Sequence, residues 1–382
     1  MAETPALRLA IVRQRYNPFG GAERFIERAI EALSARNVGV TMITRAWNRD
    51  ATRPALVCDP FYIGSLWRDW GFARAACRKA AAAGFDLVQS HERLDCCDVF
   101  RAGDGVHREW LRHRARSQGT LRRLATTLDP HHRYVLAAER RMFASPRLRA
   151  VICNSRMVRD EIARGFDVPD AKLHVIYNGV DAGRYSPALR DEHRAKVRSA
   201  WTIPAQATLF LFVGAGFSRK GLAVAMAALA DTDGWLLVAG GDKRAARFSA
   251  QARALGVADR VVFAGPQRDV WPLYLAADAF VLPTLYDPFP NAILEALACG
   301  LPVVTSNACG AAELVVPAGA GYAHDALDAM AFAGSMRTLT DDATRAAASQ
   351  AALALARTLS VERMTAAYVD LYARLGAAHP AS

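Results

Sequence analysis

The stretch "YDPFPNAILEALACGLPVV", residues 286–304, joins a loop, a helix and the start of a buried strand. Proline disfavours the helical conformation in the residue before it, so Pro288 and Pro290 keep Asp287 in a loop. Asn291 is a good N-cap, and residues 292–298 can then be helical. The pattern therefore predicts that Asp287 precedes the helix and that Glu295 lies about one turn inside it.

The same alternation of short apolar runs and helical patterns extends in both directions along the chain. Short buried strands separated by helices are typical of parallel sheets built from right-handed crossovers. The sequence thus predicts an α/β fold with two doubly wound domains facing each other across a cleft, where ligands bind at the carboxyl ends of the strands. The predicted strands lie within residues 7–13, 38–44, 85–91, 99–104, 149–155, 173–181, 208–215, 234–241, 260–265, 279–284 and 301–306.

A polar stretch without strand character, at 182–206, is interpreted as the linker between the domains. We expect an N-terminal domain over 1–190 and a C-terminal domain over 205–365. The last residues, 366–382, are expected to form a helix that crosses back to the N-terminal domain.

The composition is that of a globular protein, with 382 residues, 52% hydrophobic and 22% charged. Seven cysteines, an odd number without repeated CxxC pairs, argue against a disulfide framework or a zinc cage and favour a reducing compartment. The first residues lack the features of a signal peptide, and no apolar stretch is long enough to span a bilayer. We therefore expect a cytoplasmic protein.

The net charge of +11 is concentrated in one segment. Residues 107–149 contain eleven arginines against three acidic residues, a net charge of +8. Such a segment favours a polyanionic partner, namely nucleic acid, an anionic membrane surface or a phosphorylated acceptor. A solvated helix face is the alternative interpretation.

Two stretches of the C-terminal domain have the residue types that bind a nucleotide. In "GAGFSRKGLA", residues 214–223, Gly214 lets the backbone approach a ligand, and Arg219 and Lys220 bring positive charge to a predicted helix N-terminus, as a pyrophosphate requires. The loop has neither a Walker pattern nor an intact GxGxxG. The acids at 287 and 295 suit hydrogen bonds from sugar and ribose hydroxyls, although their spacing alone favours a capped surface helix with incidental acids.

The N-terminal domain offers weaker signals. Gly20 and Gly21, in "NPFGGAERF", would let a ligand lie against the backbone between a strand and a helix, or simply form a turn. Asp104 and His107 follow a strand at the end where this architecture performs chemistry. The acids of "DTD", residues 231–233, are interpreted as a turn, so no metal is implied.

In this order, the motifs resemble the retaining glycosyltransferases of family four, which have the GT-B fold. The family pattern is an acid, seven residues and a Glu that runs into "LEA(M/L)A.G.PV", and Asp287 stands where the family mostly has Glu. "FVGAGFSRKGLAVAMAAL" is similar to the family's donor-phosphate loop, "VIYNGVD" to the strand that closes the first domain, and "NPFGGAER" to its glycine loop. The resemblance covers nearly the whole chain.

The resemblance implies a role for each of these positions. Glu295 would hold the ribose hydroxyls, and the backbone after Asp287 would join that acid in holding the donor sugar. Arg219 and Lys220 would neutralise the departing diphosphate, which Gly20 and Gly21 would approach from the other domain. Either Asp104 or His107 would be the active-site position of the N-terminal domain. The donor-binding set is Gly20, Gly21, Gly214, Arg219, Lys220, Asp287, Pro288, Phe289, Pro290, Asn291 and Glu295.

The implied activity is transfer of a hexose, glucose from UDP-glucose, to a lipopolysaccharide core heptose or a related glycolipid. It would need neither cofactor nor metal and would take place at the anionic inner face of the cytoplasmic membrane. A family member that makes O-antigen, capsule or another glycolipid from a different UDP- or GDP-sugar is the main alternative. A nucleic-acid-binding protein would leave the acids and the Arg219–Lys220 loop unexplained, and a dehydrogenase would need an intact GxGxxG.

Overall fold

The computed structural model describes residues 7–14, 38–46, 54–185, 187 and 190–377. The chain forms two compact units. The first unit comprises residues 1–177 and 361–382, and the second comprises residues 178–360. Each contains one parallel β-sheet with helices packed against it, so the predicted α/β fold with two doubly wound domains is confirmed.

The sheet of the first unit has seven parallel strands in the order β3-β2-β1-β4-β5-β6-β7. The order reverses between β1 and β4, which pair in the register Leu9 to Leu87. This reversal is the topological switch point where doubly wound sheets bind ligands. The strands are β1 (Leu7–Val12), β2 (Val38–Thr44), β3 (Ala55–Val57), β4 (Leu87–Ser90), β5 (Val99–Arg101), β6 (Ala150–Cys153) and β7 (Leu173–Val175).

The second unit repeats the arrangement with six parallel strands in the order β10-β9-β8-β11-β12-β13. Here the order reverses between β8 and β11, which pair at Ala279 with Phe210. Both strands are fully buried from Leu209 to Phe212 and from Ala279 to Leu282, as expected for strands covered on both faces. The strands are β8 (Leu209–Val213), β9 (Trp235–Ala239), β10 (Val261–Gly265), β11 (Ala279–Leu282), β12 (Val303–Ser306) and β13 (Gly321–His324).

Most of the described helices connect successive strands, and the last three follow the final strand of the second sheet. In the first unit they are α1 (Gly64–Ala83), α2 (His107–Arg116), α3 (Thr120–Leu128), α4 (Pro130–Phe143), α5 (Arg156–Gly165) and, at the end of the chain, α15 (Val361–Ala377). In the second unit they are α6 (Arg190–Ala200), α7 (Phe217–Lys220), α8 (Leu222–Ala230), α9 (Ala245–Ala254), α10 (Trp271–Ala276), α11 (Asn291–Ala298), α12 (Ala312–Val315), α13 (Ala329–Thr338) and α14 (Asp342–Thr358).

Helix α15 covers one face of the first sheet. Successive side chains of β1 point to opposite faces: Ala10 and Val12 pack with helix α1, whereas Leu9 and Ile11 pack with α15. Tyr368 and Tyr372 of α15 are buried in this second core. The Tyr368 hydroxyl accepts a hydrogen bond from Arg101 Nε at 2.9 Å, and the Tyr372 hydroxyl donates to Gln89. Unit one is therefore closed by a segment that follows unit two in the sequence.

The polar stretch that we interpreted as a linker contains helix α6. Its arginines converge on one buried carboxylate of the second unit, Asp278: Arg194 and Arg198 each lie 2.7 Å from it, and Arg190 lies 3.5 Å away. The polarity that suggested a linker thus arises from arginines whose partner lies about 80 residues further along the chain.

The cysteines depart from expectation at one pair. The structure joins Cys77, on α1, to Cys96 in a disulfide, with the two Cα atoms 5.9 Å apart. The other five cysteines are free and buried. The argument against a disulfide framework rested on the odd total, but an odd total does not prevent two neighbours in space from pairing, as Cys77 and Cys96 do.

No helix in the described part of the chain is long and apolar enough to cross a membrane.

Candidate functional site

The carboxyl ends of β8 and β11 bring two loops together at the switch point of the second sheet. The loop after β8 begins at Gly214 and contains Arg219 and Lys220, and the loop after β11 leads to Asp287. These are the loops in which the sequence predicted the basic pair and the first acid. A doubly wound sheet binds ligands at such a reversal of strand order.

Glycine gives the basic loop its shape. Gly221 has φ +80°, and a Cβ there would lie 1.9 Å from the carbonyl oxygen of Pro283. Because only glycine fits this left-handed and crowded position, Gly221 separates the one-turn α7 from the longer α8. The two loops are then tied together by the Leu285 N–H, which donates to the Arg219 carbonyl at 2.9 Å.

The two cations share one carboxylate. Lys220 forms an ion pair with Asp287, and Arg219 Nη1 lies 3.5 Å from the same oxygen of that residue. The side chains of Lys220 and Asp287 are only 11% and 9% exposed, whereas that of Arg219 is 43% exposed. The cluster has one more positive than negative charge in a largely desolvated position, which favours an anionic ligand.

Backbone hydrogen bonds fix Asp287. Its N–H donates to the Ala308 carbonyl at 3.0 Å, and its own carbonyl accepts from the Gly310 N–H at 2.9 Å. Pro288, Phe289 and Pro290 then lead into α11. The segment that carries the carboxylate is therefore fixed by backbone hydrogen bonds on both sides.

Helix α11 begins one residue earlier than predicted. Asn291 is its first residue, and the residue before it, Pro290, makes no side-chain cap. The Asn291 side chain instead accepts a hydrogen bond from Asn178 Nδ2 at 2.9 Å, and the same amide donates to the Phe289 carbonyl at 3.2 Å. The predicted N-cap role of Asn291 is therefore wrong, since its side chain bonds to another loop.

Two tyrosines hold Glu295. The Tyr185 hydroxyl donates to Oε1 and the Tyr274 hydroxyl to Oε2, both at 3.0 Å. Burial, and then the charge of Glu295, raise the pKa of Tyr274 well above its usual value, so its proton stays in place to donate. Neither tyrosine, nor Asn178, was predicted from the sequence. They lie 110, 21 and 113 residues from their partners in this site, so no local spacing could reveal them.

In the first unit, Asp104 and His107 follow β5. Asp104 is exposed, whereas His107 begins helix α2 and is partly buried. The His107 N–H donates to both carboxylate oxygens of Glu139, at 3.1 and 3.2 Å, and its ring stacks on Trp110 with centroids 5.4 Å apart. Burial, and then the charge of Arg93, lower the pKa of His107 to about 3, so its imidazole is neutral at physiological pH.

The remaining predicted site residues are the glycines at positions 20, 21 and 214. Gly20 and Gly21 lie outside the described residues. Gly214 lies against Lys220, whose Cγ would be 3.3 Å from an added Cβ. Within the described residues, no group of three or more His, Cys, Asp or Glu side chains forms a metal-binding cluster.

Two protein-family models match the chain in succession. The model described as Glycosyltransferase Family 4 matches residues 19–184, and the one described as Glycosyl transferases group 1 matches residues 193–354. Together they span both predicted domains.

Individual relatives match most of the chain. The lipopolysaccharide glucosyltransferase WaaG of Escherichia coli is 26% identical over 82% of this chain and 84% of its own length. The D-inositol 3-phosphate glycosyltransferase of Salinispora tropica is 28% identical over 94% of this chain and 82% of its own length.

Solved structures show the same fold. The crystal structure of WaaG, a glycosyltransferase involved in lipopolysaccharide biosynthesis, has a TM-score of 0.82 at 24% identity and covers 95% of this chain and 99% of that chain. Anabaena HepE in complex with UDP and glucose has a TM-score of 0.73 at 20% identity, covering 96% and 100% of the respective chains.

Proposed function

The chain belongs to the family-four glycosyltransferases with the GT-B fold, and from that premise we propose that it is a retaining hexosyltransferase that moves glucose from UDP-glucose to a lipopolysaccharide core heptose or a related glycolipid. The observation that carries the donor half of this proposal is the cluster of Lys220, Arg219 and Asp287 at the switch point of the second sheet. The WaaG and HepE likenesses support the glucose donor and the lipopolysaccharide acceptor.

Lys220 and Arg219 suit a departing diphosphate. Breaking the sugar–phosphate bond builds negative charge on the diphosphate, and a cation already fixed in a desolvated position, as Lys220 is, stabilises that charge without reorganising. Lys220 is held by its ion pair, whereas the more exposed Arg219 can turn toward the ligand. These two charges are the reason for proposing a reaction that needs no metal.

Glu295 suits the ribose of the nucleotide. An ionised carboxylate has about four acceptor positions, and the two tyrosine hydroxyls use one on each oxygen. The tyrosines fix the orientation of the carboxylate, whose oxygens are acceptors suited to the two neighbouring ribose hydroxyls.

Asp287 and the backbone of residues 288–291 suit the hydroxyls of the donor sugar. Since Asp287 is fixed by its own backbone bonds and by two cations, it can accept from a sugar hydroxyl without moving. The acceptor hydroxyl would attack on the face from which the diphosphate departs, and the departing phosphate would take its proton. Asp104 and His107 remain the candidates for the contact from the first unit, as do Gly20 and Gly21 for the approach to the diphosphate.

The basic segment suits an anionic membrane surface. Helix α3 exposes Leu121, Leu124 and Leu128 by 83%, 58% and 62%, at the spacing of one helix face. Arg122 and Arg123 lie beside them and are also exposed. Apolar side chains flanked by arginines are typical of helices that lie in the membrane interface, where each arginine contributes about 1 kcal/mol. This supports action at the inner face of the cytoplasmic membrane.

A donor screen tests the catalytic proposal. UDP-glucose, other UDP-sugars and GDP-sugars are compared by nucleotide release, with UDP protection against thermal unfolding measured without magnesium. We expect UDP-glucose to be preferred and UDP to stabilise the protein. A different preferred sugar would replace the proposed donor and favour the alternative raised by the equally similar D-inositol 3-phosphate glycosyltransferase. Stabilisation only with added magnesium would contradict metal independence.

Flotation with vesicles tests the membrane proposal. The variant Leu121→Gln/Leu124→Gln should float less than the wild type with phosphatidylglycerol vesicles. Met330→Gln, which changes an 80% exposed side chain of the second unit, should float like the wild type. Equal flotation with anionic and neutral vesicles would refute the electrostatic part.

A further inference from the structure

The first unit contains a cavity of about 650 Å³ between α1, α4 and the loop after β4. Four arginines line it, two from α1 (Arg74 and Arg78), one from the loop (Arg93) and one from α4 (Arg141). Asp95 is the only acidic residue among the described residues that line it. The lining therefore has a net charge of +3.

Three of these arginines have no partner of opposite charge in the part of the chain that the structure describes. Among the described residues, neither Arg74, Arg78 nor Arg141 forms an ion pair, whereas Arg93 Nε donates to Glu139 at 3.0 Å. Four cationic side chains that converge on a concave surface beside a single carboxylate attract an anion. The planar guanidinium group is suited to bidentate contact with phosphate oxygens.

Two aromatic side chains stand among the arginines. Trp70 and Tyr134 line the same cavity, and the Arg74 guanidinium lies 5.2 Å from the Trp70 ring centroid. Aromatic faces offer an apolar surface against which a sugar ring can pack, and a bare inorganic anion would not use them. The combination indicates a ligand with both a phosphate and a ring.

Hydrogen bonds also connect the wall of the cavity to His107, one of the two candidate active-site residues of this unit. Glu139 accepts from Arg93 and, at 3.1 and 3.2 Å, from the N–H of His107. A single carboxylate therefore connects the wall of the cavity to the first residue of helix α2. Only Glu139 would then separate a ligand bound beside Arg93 from His107.

We propose that this cavity is a binding site for a phosphorylated saccharide, and that it holds a phosphate of the glycosyl acceptor. The second clause depends on the proposed function, whereas the binding site itself does not. Arg74, Arg78 and Arg141 bind the phosphate, and Trp70 and Tyr134 pack against the sugar.

The disulfide supports this site mechanically. Cys77 lines the cavity on α1 and is bonded to Cys96, which follows directly on Asp95. The bond ties the helix that carries Arg74 and Arg78 to the loop that carries Arg93. The position of α1 relative to this loop is thereby fixed before a ligand arrives, which lowers the cost of binding.

Calorimetry on the full chain tests the proposal, with glucose 6-phosphate as the probe and UDP present at saturation to occupy the donor site. The affinity for UDP is measured first, so that a failure of the donor proposal is recognised separately. We expect Arg141→Gln to raise the Kd for glucose 6-phosphate about tenfold, equivalent to about 1.4 kcal/mol. Arg140→Gln, which removes an exposed neighbouring charge outside the cavity, should leave that Kd unchanged.

A second comparison examines the saccharide. Trp70→Ala should weaken the binding of glucose 6-phosphate by a clearly larger factor than the weaker binding of inorganic phosphate, although the loss of its contact with Arg74 affects both. The proposal is overturned if glucose 6-phosphate does not bind to the UDP-saturated protein, or if inorganic phosphate binds as tightly. It is equally overturned if Arg140→Gln and Arg141→Gln have the same effect, or if phosphatidylglycerol vesicles displace the sugar phosphate.

Discussion

Replacing Lys220 by alanine should affect catalysis and folding by amounts that can be separated. The lysine is 11% exposed and forms an ion pair with Asp287, which is 9% exposed. If it stabilises the departing diphosphate, its loss should lower kcat by about 10² to 10³, the typical effect of removing one group that stabilises transition-state charge.

The same substitution also leaves a buried carboxylate with one cation fewer. Removing one partner of a buried pair costs about 3–5 kcal/mol of unfolding free energy. We expect the lower end, about 3 kcal/mol, because Arg219 remains 3.5 Å from the same oxygen of Asp287. A rate measured at a temperature where this variant stays folded is therefore required.

Arg219→Gln separates the two effects. Its side chain is 43% exposed, so its ion pair should contribute no more than about 1 kcal/mol to stability. Because the substitution removes the proposed contact with the diphosphate, it should nevertheless lower kcat about 10- to 100-fold. A fall in rate with an unchanged melting temperature would assign Arg219 to the chemistry rather than to the fold.

The assay is initial-rate UDP release at saturating donor, with thermal unfolding of each variant recorded in the same buffer. Lys196→Ala, an exposed lysine on α6, serves as the matched control and should behave as the wild type. If folded Lys220→Ala retained a kcat within about threefold of the wild type, well below the effect expected for such a group, the electrostatic assignment of this loop would be refuted.

Three further predictions concern the residues around the two candidate sites. Tyr274→Phe and Tyr185→Phe should each raise the Kd for UDP severalfold, because Glu295 loses a donor that orients it. An unchanged Kd in both variants would show that Glu295 does not bind the nucleotide. The unfolding free energy should fall as the pH drops from 6.5 toward 5, and His107 should contribute up to about 1.4 kcal/mol per pH unit, because its imidazole takes up a proton in the unfolded chain but, with a pKa of about 3, not in the folded one. Urea titrations should show a smaller pH dependence for His107→Gln, and an equal dependence would contradict the prediction. Cys77→Ser should lower the unfolding free energy by about 3 kcal/mol, since the disulfide closes a loop of 19 residues. If a thiol reagent titrated seven free thiols in the wild type, unfolded without a reducing agent, the disulfide would not form.

The sheets were predictable because their strands are buried on both faces. Runs such as residues 208–215 and 279–284 are apolar except for one terminal threonine each, and the structure places β8 and β11 inside them, each ending two residues earlier than the run. The short β3 and the edge strand β13 were missed, since three or four partly exposed residues carry little pattern.

The candidate site was only partly predictable. The sequence indicated the basic pair and the two acids, because small residues and charges at a strand–helix junction have a local signature. The break at Gly221 depends on the approach of Pro283, and the orientation of Glu295 depends on Tyr185 and Tyr274. The partner of each arginine in α6 likewise lies far along the chain. Contacts of this kind are set by the fold, so single-sequence patterns do not show them.

The position of helix α15 has a consequence for synthesis on the ribosome. The second unit is one continuous stretch of 183 residues, 178–360, and it is made in full before the helix that covers one face of the first sheet. At translation rates of about 5–20 residues per second, that face waits roughly 10–40 s for its cover. During that interval Leu9, Ile11 and their neighbours are an apolar surface that a nascent-chain chaperone would need to shield.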